Sequence, residues 1–365
     1  MSSRRFVFVL SVLFVLFSTD GTRAEAGEEK RVVRLGYFPN ITHAQAVLGV
    51  SRGDFQKALG DQVALETSVF NAGPSVIEAL FAGHLDLAYV GPSPTLNGYL
   101  QSRGEEVRVI CGSADNGVLI VGSRKRGLTR LEDLRGKKIA TPQLGNTQDI
   151  SAKYFVVHQL KGRLKERGGE TEVIPIANPD IEILFEKDQL DAAWLPEPWA
   201  TRLIERGLVN RIAEEKDLWP DKRFAITSII ARRKFLQEHP DDVRNFLRAH
   251  VALTRALGEN AERLAPELNA ELRRLTGKDL PLSVIRGALG NVAFTTDPGT
   301  ATFQRFFEMG RELNLIRAGD LDLGNLVDDR LLNGVLRGEK ESRSEEGLTS
   351  GSVAVLTSTP AQLAP

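Results

Sequence analysis

Cysteine is almost absent. The 365 residues hold one, Cys111, so the chain offers no internal disulfide and no cysteine-rich metal site. Excess charge is missing too: 47 Lys and Arg against 48 Asp and Glu leave a net charge of -1, too little to draw the chain to nucleic acid or to an anionic membrane. Long apolar runs are also lacking. The longest, over 6–17, falls short of the roughly 20 residues a spanning helix needs. It follows Arg4 and Arg5 and precedes Ala24-Glu25-Ala26, which gives an expectation of an export signal over 1–26, cleaved near Ala26; retention would make it a membrane tether. No cysteine near the cleavage point could carry a lipid anchor.

Known catalytic signatures are missing as well. Neither G-x-G-x-x-G, Walker A, His-Glu-x-x-His nor G-x-S-x-G occurs, and Gly91-Pro92-Ser93-Pro94-Thr95 only approaches the last. The five histidines lie far apart in sequence, without metal-ligand spacing, and most carboxylates are expected on solvated helix faces. The sequence therefore reads as a non-enzyme with no metal and no cofactor.

What remains is an ordinary globular composition, 42% hydrophobic and 26% charged, long enough for two cores. From residue 31 short apolar runs alternate with turn residues and helical periodicity, the signature of an α/β fold. Strands are expected over 32–37, 63–70 and 85–90, with a Ser75/Glu78 capping box opening a helix that stops at Gly83. The pattern restarts after Cys111. A Thr129/Glu132 capping box, strands over 138–141, 172–176 and 191–195, and helices from Asn146 and from Asn178 or Asp180 build a second unit. One further strand, 224–232, precedes helices over 240–259, 261–275, 283–289 and 300–315 with no strand between them. The expectation is two lobes, each a mostly parallel sheet flanked by helices: 27–114 with 225–337, and 115–224, after the signal 1–26 and before a disordered tail 338–365.

Four loops follow expected strand ends and each opens a helix: Phe38–His43, Asn71–Ser75, Gly91–Thr95 and Pro142–Thr147. Their small neutral residues would let an oxyanion approach the unpaired N–H groups and positive dipole of a helix N-terminus. Ser75, Ser93, Asn146 and Thr147 are the expected nearest donors, with His43 and Asn71 in support. In a fifth loop, Leu195-Pro196-Glu197-Pro198-Trp199, Pro198 suits a first helical position. There Trp199 could wall an alkyl group, and Glu197 could meet a ligand amine or pair within the protein.

The succession Leu35-Gly36-Tyr37-Phe38-Pro39-Asn40 with His43, Gly73-Pro74-Ser75 with Glu78-Ala79-Leu80, and Leu85-Asp86-Leu87-Ala88-Tyr89-Val90-Gly91-Pro92-Ser93-Pro94 resembles the solute-binding proteins of nitrate, aliphatic sulfonate and taurine ABC importers. Asp133-Leu134-Arg135-Gly136-Lys137, Gly145-Asn146-Thr147-Gln148-Asp149 and Asp191-Ala192-Ala193-Trp194-Leu195-Pro196-Glu197-Pro198-Trp199 are similar to the sulfonate branch. The resemblance covers about 32–247. It implies a two-lobed periplasmic-binding-protein fold, type II-like, whose inter-lobe cleft captures a small oxyanion, here an aliphatic sulfonate. It also implies a periplasmic location and, as partners, membrane permease subunits with a cytoplasmic ATPase; a monomer is expected. Two rivals share the fold: a thiamine-pyrimidine-synthesis-like enzyme or precursor binder, disfavoured by the single cysteine and the export signal, and a sensory binding protein that docks on a receptor.

Overall fold

The computed structural model describes residues 30–316 and 322–339. The expected signal peptide and all but the first two residues of the expected tail lie outside these; Gly338 and Glu339 are helical, together with the described residues from 330, and not part of a tail.

β1 (Arg31–Tyr37) is buried on both faces from Leu35 onward, as a central strand must be. The chain continues through β2 (Val63–Val69), β3 (Leu87–Val90) and β4 (Val107–Asn116), crosses at Gly117 into β5 (Val118–Ser123), and proceeds through β6 (Lys138–Thr141), β7 (Glu172–Pro175), β8 (Ala192–Pro196) and β9 (Val209–Glu214). It then returns as β10 (Ala225–Arg232) and β11 (Val292–Phe294). Two sheets result, ordered β11-β4-β10-β3-β1-β2 and β7-β6-β8-β5-β9.

Both sheets are mixed, which corrects the mostly parallel expectation. β1 pairs in parallel with β2 and β3, and β6 with β7 and β8. β10 runs antiparallel to β3 and β4, and β5 antiparallel to β8 and β9. The cause is the crossing itself. A parallel neighbour needs a crossover of a dozen or more residues, whereas β5 starts one residue after β4 ends and β10 starts where the chain re-enters from the second sheet. Both therefore begin at the inter-sheet edge, where β1, β3 and β8 end. Gly117 turns this corner at φ 73°, and a Cβ there would stand 2.5 Å from Val292 Cγ2.

Several local expectations need correction. The helix expected from Ser75 runs Gly73–Phe81 with Ala72 at its N-cap and no side-chain cap. Pro74 already supplies the pre-set φ and lacks one of the orphan N–H groups, so Ser75 Oγ is free to accept from Gln143 Nε2 at 3.2 Å. Asp133, not Glu132, closes the turn near 130, accepting from the Thr129 and Arg130 N–H groups at 2.9 Å. Pro198 is the N-cap of Trp199–Glu205 and not its first residue. The helices over 240–275 form one element, Pro240–Thr276, interrupted at Asn260 where φ is -139°. β11, three residues at a sheet edge, is too short to show in a hydrophobic pattern.

The helix Thr300–Glu312 does not belong to the first lobe alone. Its Phe303, Phe306 and Met309 enter a core shared with Ile120, Phe155 and Trp194 of the second. Arg305 Nη2 donates to Tyr154 Oη at 2.7 Å, and that hydroxyl donates to Glu312 Oε2 at 3.0 Å. Carboxylates are also more often internal than expected: Asp86, Asp115, Asp149, Asp191, Glu197, Glu215, Asp242 and Glu271 are buried.

Candidate functional site

Strand ends of both sheets face one another across a small cavity. The space open to the centre of a water molecule is about 30 Å³, room for roughly two waters. The lobes touch around it. Ser93 Oγ donates to Gly145 O at 3.2 Å, Asn71 Nδ2 to Pro142 O at 3.4 Å, and the Ile41 N–H to Glu197 O at 3.0 Å. A Cβ on Gly91 would lie 2.3 Å from Thr147 Oγ1, so only glycine permits this approach.

Four helical segments begin at the cavity: Ile41–His43 leading into Ala44–Ser51, Gly73–Phe81, Pro92–Gln101 and Thr147–Tyr154. Their N-termini concentrate backbone N–H groups and partial positive charge there. Among the described residues, no Asp, Glu, Lys or Arg lines the space. Its one titratable group, His43, is 2% exposed, and burial pushes the imidazole down to about 3, so the ring is neutral. His43 Nδ1 accepts from the Phe38 N–H at 3.4 Å, which leaves the proton on Nε2 as a donor.

Of the eight residues singled out from the sequence, His43, Asn71, Asn146 and Thr147 line the cavity. The other four do not. Ser75 and Ser93 make contacts across the cleft instead, Ser75 accepting from Gln143 Nε2 and Ser93 donating to Gly145 O. Trp199 donates from Nε1 to Asn40 Oδ1 at 2.8 Å, holding a residue that does line the space. Glu197 is fully buried in a polar corner: Oε1 accepts from Thr201 Oγ1 at 2.7 Å and Asn291 Nδ2 at 2.6 Å, and Oε2 from the Thr201 N–H at 3.1 Å. Burial raises its pKa against these donors. Asn146 is likewise committed, capping its helix by accepting from the Asp149 N–H at 2.8 Å and donating to Gln148 Oε1 at 2.8 Å.

The cavity's other polar liners include Asn40, Thr42, Gln148, Asn178 and Thr227. Asn40, Thr42 and Gln148 neighbour residues already chosen. Asn178 opens the turn after β7 by the same strand–loop–helix pattern as the four loops and could have been found by it. Thr227 sits inside β10 and carries no sequence signal. Among the described residues no group of three or more His, Cys, Asp or Glu could hold a metal ion, and no helix is long and apolar enough to cross a membrane.

A family model described as NMT1-like matches residues 26–266. The chain belongs to the NMT1-like family. It spans 63% of the length of curated relatives from Brucella abortus, which it matches at 27% identity over 219 residues, 59% of its own length. The taurine-binding periplasmic protein of Escherichia coli is 25% identical over 238 residues, covering 64% of this chain and 70% of that one. Among solved structures, the alkanesulfonate-binding protein SsuA from Xanthomonas axonopodis pv. citri, bound to MOPS, superposes with a TM-score of 0.66 at 19% identity over 82% of this chain and 99% of that one. The NMT1-like chain therefore has the two-lobed architecture of the periplasmic binding proteins.

Proposed function

We propose that this NMT1-like protein is the exported solute-binding component of an ABC importer, which captures a small oxyanion, an aliphatic sulfonate, between its lobes and delivers it to a membrane permease served by a cytoplasmic ATPase. One observation carries the reading: a small cavity, closed by contacts between both lobes, is ringed by helix N-termini and neutral donors and holds no ionised side chain. Such a site stabilises an anion by oriented dipoles and shape, without a fixed counter-charge that would hinder release. The relatives described as taurine- and alkanesulfonate-binding support the same ligand class. The reading is one of binding without catalysis, and the relatives' descriptions as binding proteins support it.

The test is thermal unfolding of the mature chain with ethanesulfonate, taurine, longer alkanesulfonates, nitrate and bicarbonate. A cognate ligand at a hundred times its Kd stabilises by about 2.7 kcal/mol. A clear upward shift with a sulfonate is the expected result; a shift with nitrate or bicarbonate alone overturns the sulfonate assignment, and no shift with any of them overturns the oxyanion reading.

A further inference from the structure

The donors around the cavity account for one end of a ligand, but two of its liners hold oxygens that nothing meets, one an amide acceptor and one a hydroxyl that can accept as well as donate. Asn178 Oδ1 and Thr227 Oγ1 are buried and have no hydrogen-bond partner. Asn178 is 4% exposed and Thr227 1%. They come from opposite lobes, Asn178 from the turn after β7 and Thr227 from β10, and both line the cavity. The backbone around Thr227 departs from regular pairing: the β10–β4 register shifts on both sides of it, between Ala225 and Thr227 and again between Thr227 and Ser228. Such irregularities re-aim a side chain out of strand alternation and recur beside binding sites.

Several of the other polar liners are already committed to protein partners or present a donor. Asn40 Oδ1 is taken by Trp199, both ends of the Asn146 amide are committed, Asn71 Nδ2 donates to Pro142 O, and the neutral His43 presents Nε2–H. A buried acceptor with no partner has lost its water and gained nothing in return. A site built to hydrogen-bond an N–H or O–H rejects the analogue that lacks it.

We propose that Asn178 and Thr227 form a second subsite that reads a hydrogen-bond donor on the ligand, so that the cavity selects oxyanions carrying their own N–H or O–H over those whose remainder is wholly apolar. This rests on reading the cavity as an oxyanion site. Both groups are neutral, so an ammonium and a hydroxyl are accepted alike; an acidic residue would favour the ammonium. The small volume sets the donor a short spacer away from the anionic group. Glu197, the residue first expected to meet an amine, plays no part because its acceptors are filled by Thr201 and Asn291.

Calorimetry with ethanesulfonate, taurine and 2-hydroxyethanesulfonate, which share a two-carbon sulfonate, tests this directly. The wild-type chain is expected to bind the two donor-bearing ligands at least tenfold more tightly than ethanesulfonate. Asn178→Leu and Thr227→Val should abolish that preference, read as the ratio of the affinities for taurine and 2-hydroxyethanesulfonate to that for ethanesulfonate, while the unfolding temperature stays close to wild type. Thr227→Ser, which keeps the hydroxyl, should retain the preference and guards against a valine variant that fails to fold. Equal affinities in the wild type, a preference surviving both Asn178→Leu and Thr227→Val, or a wild type favouring taurine alone would overturn the neutral acceptor pair. Absence of binding by all three ligands would instead overturn the oxyanion reading, and the subsite with it.

Discussion

Two polar regions lie one residue apart in the chain, and they are opposites. At the corner after β8, Glu197 has each carboxylate oxygen met by donors from Thr201 and Asn291. In the cavity, which Pro196 lines, Asn178 and Thr227 have unmet oxygens and the neutral His43 has a proton to offer. Both regions are deeply buried, so burial alone does not mark a binding site. What separates them is whether the protein's own groups have consumed the hydrogen-bonding capacity. The corner is finished without a ligand and should act on stability; the cavity is not, and should act on affinity.

The largest expected effect breaks the corner. Glu197→Ala strands the Asn291 amide and the Thr201 hydroxyl and N–H in the interior, at a cost of about 3 kcal/mol, or roughly 6–10 °C in unfolding temperature for a chain of this size. The affinity of the folded fraction for a sulfonate should stay within about twofold, as a change of that size is well under 1 kcal/mol. Melting curves with parallel titrations check both. Affinity lost at unchanged stability would move Glu197 into the site.

A second finished region sharpens the contrast. Glu215 lies where the chain returns from the second sheet, fully buried, accepting from Trp194 Nε1 at 2.5 Å and Trp219 Nε1 at 3.3 Å. Burial pushes its carboxyl up to about 7 in spite of these donors. The folded chain thus holds this proton more tightly than the unfolded one. The stabilisation is complete below the ordinary 4.5 and is lost as pH rises through about 7. The buried His43 and His250, lowered to about 3 and about 4, work in the other sense and lose stability as pH falls below 6.5. The wild-type profile therefore hides the Glu215 contribution, and the difference from Glu215→Gln exposes it. Denaturant melts should show the variant gaining about 2 kcal/mol relative to wild type between pH 5 and 8. A constant difference across that range would mean that Glu215 does not hold its proton.

The legible part of the molecule follows the same division. Strands buried on both faces, such as β1 and β6, show as apolar runs, and the loops at their ends carry small neutral residues, so the fold class and the four helix-opening loops could be read from sequence. Sequence does not show which member of a loop faces in. Ser75 and Ser93 have the right chemistry, yet both face partners on the opposite lobe, Ser75 accepting from Gln143 and Ser93 donating to Gly145, and neither lines the cavity. Thr227 has no local signal, since the irregular β10–β4 pairing that surrounds it is a property of two strands about a hundred residues apart. The buried carboxylates were missed for a similar reason: their partners, such as Arg232 for Asp86 and Arg223 for Asp115, are distant in sequence.

Turning to the cavity, Gly91→Ala tests whether closure is what makes it a site. At φ -77° the backbone accepts alanine without strain, but the new methyl would meet Thr147 Oγ1 at 2.3 Å and Ile226 O at 3.2 Å. Thr147 is β-branched and stiff at χ1, so turning its hydroxyl away costs a rotamer change, and parting of the lobes is the expected response. Sulfonate affinity should fall at least tenfold, about 1.4 kcal/mol, with the unfolding temperature of the ligand-free chain almost unchanged. Equal affinity in calorimetry would show that binding tolerates a more open cleft.

The smallest effect expected is an absence of response to salt and pH. Exposed ion pairs weaken as the Debye length shrinks from about 10 Å at 0.1 M to about 3 Å at 1 M. Among the described residues the cavity has no lysine or arginine to screen, and its dipoles are buried, so sulfonate affinity should change by less than about twofold across that range. The response to pH depends on His43, the titratable group among the described liners. Burial lowers its pKa in the ligand-free chain to about 3, so the ring is neutral before binding anywhere between pH 5 and 8, and the expected outcome is that no proton is taken up with a sulfonate, which is itself ionised throughout. Affinity should therefore be flat, and calorimetry in buffers of different ionisation enthalpy should give the same heat. A tenfold rise in affinity on going from pH 8 to pH 5, with proton uptake, would mean that anion binding protonates the imidazole. The cavity would then supply its own cation, and the contrast with the finished corners would rest on charge as well as on unspent hydrogen bonds.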